Sequence, residues 1–167
     1  MTKPTNAREQ RILAEVDRAF DREVAFLQDL VRRPSLRGQE ATVQDYVYAA
    51  LKSRDLVMDR WRLDPEALRH HPGFSPVAET SYDNAWNVVG SWRPRQETGR
   101  SLILNAHVDV VPSGPERMWE IPPFDPVIRE GWMHGRGAAD MKAGLAASVF
   151  AFDAVRAAGF EIGRAHV

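Results

Sequence analysis

The sequence predicts an α/β fold, and three observations carry that prediction. Two segments near the start repeat apolar residues at helical period; residues 86–92 and 101–107 are apolar runs that read as strands; and an Ala-rich helical segment follows the glycine-rich stretch at 135–140. With 167 residues the chain has the length of one domain and can bury a core without disulfide or metal staples.

Taken in order, residues 6–33 set Ile12, Val16, Phe20, Val24, Leu27 and Leu30 or Val31 at helical spacing, with Asn6 as cap and Pro34 as stop. After a loop at 34–38, a second amphipathic helix presents Val43, Tyr46, Val47, Ala50 and Leu51 on one face, which reads as core. Residues 56–63 alternate as a short strand. The tract 64–83 carries Pro65, Pro72, Gly73 and Pro76 and reads as a loop with one helical turn near 66–69. His70 and His71 lie in it; adjacent side chains diverge on most backbones, so the pair reads as exposed loop and not as ligands. The strands at 86–92 and 101–107, joined by a turn at 94–99, are predicted to be neighbours in one sheet. Residues 126–129 and 132–134 form a hairpin turning at Glu130-Gly131, and its Trp- and Pro-rich approach, 119–126, is predicted to be a wall or lid. Leu145, Val149, Phe152 and Val155 or Arg156 define a last helix over 141–158, stopped by Gly159.

Composition closes several function classes. A net charge of -1 with acids and bases interspersed gives no broad basic field for nucleic acid. Cysteine is absent, which removes disulfides, thiolate metal sites and cysteine nucleophiles, so a metal here must be held by His, Asp and Glu. Residues 1–6 lack the apolar core of a secretory signal, and no apolar run approaches the roughly 20 residues of a membrane span. The expectation is a cytoplasmic protein with neither nucleic acid nor membrane as partner.

The chemistry-bearing residues fall in two clusters. His107-Val108-Asp109 follows the apolar run at 102–104, and Gly135-Arg136-Gly137-Ala138-Ala139-Asp140 precedes the last helix, so both stand at element ends, where α/β proteins place their sites. At a strand end, His107 and Asp109 project to the same side, which suits a metal-binding imidazole oriented by a carboxylate. Asp140 stands at a helix N-terminus, where a carboxylate is favoured and where a plain N-cap is the alternative reading. A phosphate loop does not fit, because the third glycine is missing, an anion stands where phosphate would sit, and Lys142 has the wrong spacing.

These residues carry a resemblance. Leu104-Asn105-Ala106-His107-Val108-Asp109-Val110-Val111-Pro112, then Trp119, Pro122-Pro123-Phe124 and Gly135-Arg136-Gly137-Ala138-Ala139-Asp140-Met141-Lys142-Ala143-Gly144, together resemble the di-zinc amidohydrolase family of aminoacylases, carboxypeptidases and acetylornithine deacetylases. The acetylornithine deacetylase and succinyl-diaminopimelate desuccinylase branch is the nearest likeness, and the match runs from Pro34-Ser35 to Gly159. His134 departs from the pattern, which has an aromatic before Gly135; it is not counted as a ligand.

The resemblance implies a three-layer α/β/α metallopeptidase-like core, truncated after the helix that follows Asp140. It implies that His107 binds one zinc, Asp140 bridges two, Asp109 orients His107 as the catalytic-site carboxylate, and a cis peptide follows Asp140. Zinc is the implied metal, with cobalt as a substitute. The substrate would be a small-molecule amide, an N-acyl amino acid above all, with dipeptidase or carboxypeptidase action and a non-catalytic product as alternatives. A homodimer is implied for the parent. The family's Glu-Glu pair, whose first member is the general base, and its late ligands have no counterpart after Asp140, where the acids are Asp153 and Glu161.

Residues 1–161 are therefore expected to be the N-terminal part of a catalytic domain, with the lid or dimerisation domain absent. The last six residues, Ile162-Gly163-Arg164-Ala165-His166-Val167, are also what a common sequencing-adapter stretch encodes in frame. They are expected to be a non-native tail, which keeps His166 out of the site. The chain alone is expected to expose apolar surface, to bind zinc weakly and to hydrolyse nothing.

Overall fold

The computed structural model describes residues 6–75, 81–94, 100–160 and 165–167. The turn expected at 94–99, the loop around Pro76 and the acid Glu161 fall wholly or largely outside the described residues.

Helix α1 (Ala7–Val31) begins where Asn6 accepts a hydrogen bond from the Glu9 N–H, satisfying one of the open donors of the first turn. Its buried stripe is not quite the one expected. Ala19, Phe26, Leu30 and Val31 are buried, whereas Phe20 is 58% exposed. The last helix packs against the Ala19 side, where a small side chain permits close approach, and the apolar Phe20 is left on the outer flank. Helix α2 (Ala41–Lys52) buries Val43, Val47 and Leu51, as its pattern required.

Strand β1 (Val57–Arg62) pairs antiparallel with β2 (Trp86–Trp92) from Val57 opposite Ser91 to Arg62 opposite Trp86. Between them lies the one-turn helix α3 (Pro65–Leu68), capped by Asp64; His70 and His71 follow it and are exposed. Gly90 in β2 is a close-approach residue, since a Cβ there would fall 2.7 Å from Leu56 Cδ1 and 3.3 Å from Leu51 Cβ. Strand β3 (Leu102–Ile103) is shorter than the run predicted for 101–107. The expectation that it neighbours β2 is corrected. Strand β6 (Ala165–His166) lies between them, antiparallel to β2 and parallel to β3, giving the order β1-β2-β6-β3. The Gly90 and Val167 main chains exchange hydrogen bonds at 2.8 and 2.9 Å, and Leu104 donates to His166 at 2.8 Å. Backbone groups make these bonds, and apolar periodicity cannot read strand order from them.

The hairpin is as expected, β4 (Val127–Arg129) against β5 (Trp132–His134) with its turn at Glu130-Gly131. Helix α4 (Gly144–Ala157) starts later than predicted because residues 138–143 form a wide, irregular turn with a cis peptide at Asp140–Met141. Its Leu145, Val149, Phe150 and Phe152 join α1 and α2 in one core over the sheet. Phe26 stacks on Tyr46 at 5.4 Å and Trp92 meets Phe152 edge-on at 6.2 Å. Helices thus cover one sheet face. On the other, Val57 and Trp61 remain exposed, and edge strand β3 exposes both Leu102 and Ile103. The fold is α/β as predicted, with the third layer of a three-layer core not formed among the described residues. No helix of the described residues is long and apolar enough to cross a membrane.

Candidate metal centre

The two clusters meet, 33 residues apart in sequence, with His107 Nε2 3.2 Å from Asp140 Oδ1. Residues around His107 are not strand. They are held by the loop before α2: Ser35, fully buried, donates from Oγ to the Val108 carbonyl at 2.6 Å, and the Val110 N–H donates to the Ser35 carbonyl at 2.9 Å. A single parallel bridge, Leu36 to Val110, completes this clamp. Val108 is buried between two site residues, so pinning it fixes both neighbours. The sequence marks Pro34 as a helix stop and 34–38 as a loop; the hydrogen-bonding role of Ser35 is not visible in apolar periodicity.

His107 Nδ1 lies 3.1 Å from Asp109 Oδ1, and Arg37 Nε stands 3.8 Å from Asp109 Oδ2. The expected pairing of Asp109 with the ring is therefore present, although the two residues meet across a loop and not by strand alternation.

Asp140 is positioned by the glycine turn before it and by Lys142 after it. Gly137 has φ +77, and a Cβ there would lie 2.3 Å from Val110 Cγ1, so the turn both needs left-handed backbone and packs against the His107 segment. Lys142 is fully buried, and its Nζ donates to the carbonyls of Leu30 at 2.9 Å and Arg33 at 3.0 Å, closing the C-terminal end of α1. Burial first, and then the nearby Arg33 charge, push its pKa down to about 8, which still leaves it charged at neutral pH. The N-cap alternative for Asp140 does not hold: α4 is capped at Ala143, and the Asp140 side chain, 92% exposed, is turned to His107.

An open cleft of about 650 Å³ contains His107, Asp109 and Asp140, together with Arg37 and Arg136. Of the wall or lid expected at 119–126, the lid is not formed, since none of these residues lines the cleft; Trp119 instead backs it from beneath Arg136. His134 and His166 are not in the cleft; His166 bonds to Ser91 at 2.8 Å. Asp153 is committed to Arg54 at 2.8 Å.

The donor set fits a cation in part. With the proton on Nδ1 and donated to Asp109, Nε2 presents a lone pair to a carboxylate oxygen, two acceptors that need a positive charge between them. Their 3.2 Å separation is close to the edge of a tetrahedral zinc site, about 3.3 Å for ligands at 2.0–2.1 Å. Asp140 Oδ2 carries no protein partner among the described residues, which leaves it open toward a second ion. The set is nevertheless short, for no group of three or more His, Asp or Glu ligands exists among the described residues.

Comparison with known proteins bears out the resemblance carried by the motifs. Residues 103–166 match Peptidase family M20/M25/M40. The chain is 37% identical over 123 residues to the succinyl-diaminopimelate desuccinylase of Marinobacter nauticus, a match that covers 74% of this chain and 27% of that one. Human carnosine dipeptidase 1 is similar in fold, with a TM-score of 0.76 at 18% identity over 98% of this chain and 34% of its own. An M20 family metallo-carboxypeptidase of Sulfolobus solfataricus has a TM-score of 0.68 at 18% identity over 86% of this chain and 29% of its own. The chain spans about a quarter of the length of the curated relatives it matches.

Proposed function

We propose, for a chain whose residues 103–166 carry the Peptidase family M20/M25/M40 match, that it is part of a zinc-dependent amidohydrolase. The reaction is cleavage of an N-acyl amino acid or similar amide, in the manner of a deacetylase or desuccinylase, to a carboxylate and an amine. The observation that carries this reading is the His107–Asp140 contact at 3.2 Å, backed by Asp109 on the far ring nitrogen. The likeness to a desuccinylase supports the acyl-amino-acid class.

Zinc bound here supplies Lewis-acid activation of water and of the amide carbonyl. The residues of this chain prepare for it. His107 Nδ1–H donates to Asp109, whose carboxylate and main-chain carbonyl both lie 3.1 Å away, and this fixes the imidazole tautomer; Arg37 stands against Asp109, and Asp140 offers one oxygen beside Nε2 and one to the open cleft. All three site residues are engaged as ligands or orienters, and the resemblance assigns the proton-transferring base to a Glu-Glu pair that has no counterpart among them.

A second reading, cleavage of dipeptides or of C-terminal residues, has the dipeptidase and carboxypeptidase folds as its support and uses the same amide chemistry. The test is to assay the full-length product of the gene that encodes residues 1–161 on N-succinyl and N-acetyl amino acids beside dipeptides. Amine release from the acyl amino acids that a chelator abolishes and zinc restores is the expected result. Release from dipeptides alone favours the second reading. No release from either class with full metal loading contradicts both and leaves a binding-only product.

A further inference from the structure

Two arginines line the cleft beside His107 and Asp140, and among the described residues only one has an acidic partner. Arg37 stands against Asp109. Arg136 has neither an ion pair nor a hydrogen-bond acceptor for its guanidinium among the described residues, and its Nε is sealed from solvent without a partner. Buried donors are nearly always satisfied, so an orphan at a site edge calls for a reason.

The side chain is nonetheless held. Its guanidinium carbon lies 5.3 Å from the centre of the Trp119 ring. Trp119 is itself locked by donation from Nε1 to the Ser113 carbonyl at 2.8 Å, and the Arg136 N–H donates to the Pro123 carbonyl at 2.6 Å. With its carbon held over the indole and Nε sealed, the guanidinium has its terminal nitrogens left to meet a planar anion in the cleft it lines. Gly137 follows directly and begins the turn that delivers Asp140, so the cation and the metal-side carboxylate are presented by one short segment.

We propose that Arg136 is a carboxylate-binding residue that receives a carboxylate group of the substrate edge-on and so sets where the amide lies in the cleft. The proposal rests on the amide-hydrolase reading, whose substrate classes all carry a carboxylate. A carboxylate group, with its single charge, is favoured over phosphate because Asp109 and Asp140 already place negative charge in the same cleft.

The test uses the 167-residue chain without metal. Succinate is titrated against ¹⁵N-labelled protein while the Arg136 Nε–Hε signal, assigned through its own side-chain carbons, is followed by NMR. The expected result is a saturable shift at millimolar succinate, no shift with neutral succinamide, and at least tenfold weaker binding in Arg136→Lys, which keeps the charge and loses the fork. A signal unmoved by succinate, or moved equally by succinamide or by inorganic phosphate, overturns the proposal. The wild-type titration decides it even if the variant fails to fold. Because neither metal nor turnover is read, failure here leaves the hydrolase reading standing, and loss of that reading leaves the carboxylate titration as it is.

Discussion

A methyl group at position 137 would strike Val110, the residue next to Asp109, and would have to adopt φ +77. Gly137→Ala is therefore expected to cost about 1–3 kcal/mol in urea unfolding and to separate Asp140 from His107. A loss under half of that would show that the turn relaxes freely. Ser35→Ala removes the 2.6 Å bond to the Val108 carbonyl from a fully buried setting and is expected to cost about 1–3 kcal/mol. Lys142→Met removes the ammonium donor from the Arg33 carbonyl and from the Leu30 carbonyl, which keeps only the Arg33 N–H at 3.3 Å, and is expected to cost about 2–3 kcal/mol by the same measurement. Of these residues, the glycines, His107, Asp109 and Asp140 were legible in the sequence, because their types and spacing are unusual. Lys142 was not. The sequence weighed it as a phosphate ligand and as one letter of the resembling motif, with no role of its own, and its partners are main-chain carbonyls at the end of a helix more than a hundred residues earlier.

At the scale of elements, apolar patterning placed α1, α2, β1 and β2, and the turn at Glu130-Gly131 placed the β4–β5 hairpin. It misplaced the inner stripe of α1, where Ala19 and not Phe20 is inside, because a small residue at a helix crossing counts as little in an apolar pattern and as much in packing. It also started α4 too early and gave β3 the wrong neighbour. The turn at 138–143 and the insertion of β6 are both backbone arrangements that apolar spacing does not encode. The ion pair between Arg54 and Asp153 ties the end of α2 to α4 at 2.8 Å, with both side chains partly exposed. Asp153→Asn is expected to cost no more than about 1 kcal/mol by thermal or urea unfolding, since water screens such a pair; a cost several times larger would make it a principal strut of the helix layer.

For the whole molecule, one covered and one open sheet face leave Val57, Trp61 and the β3 edge in water, with Ile103 72% exposed. The purified chain is expected to associate in a concentration-dependent way in light scattering, and Ile103→Lys at the edge is expected to reduce that association. A monomer at all concentrations would contradict this. The same incompleteness governs the metal centre, which brings His107 and Asp140 together and supplies no third ligand among the described residues. Calorimetric titration of the 167-residue chain with zinc tests that account most directly. Weak binding, far from stoichiometric at micromolar zinc and abolished in Asp140→Asn, is the expected result; tight stoichiometric binding with turnover of an acyl amino acid by this chain alone would contradict it.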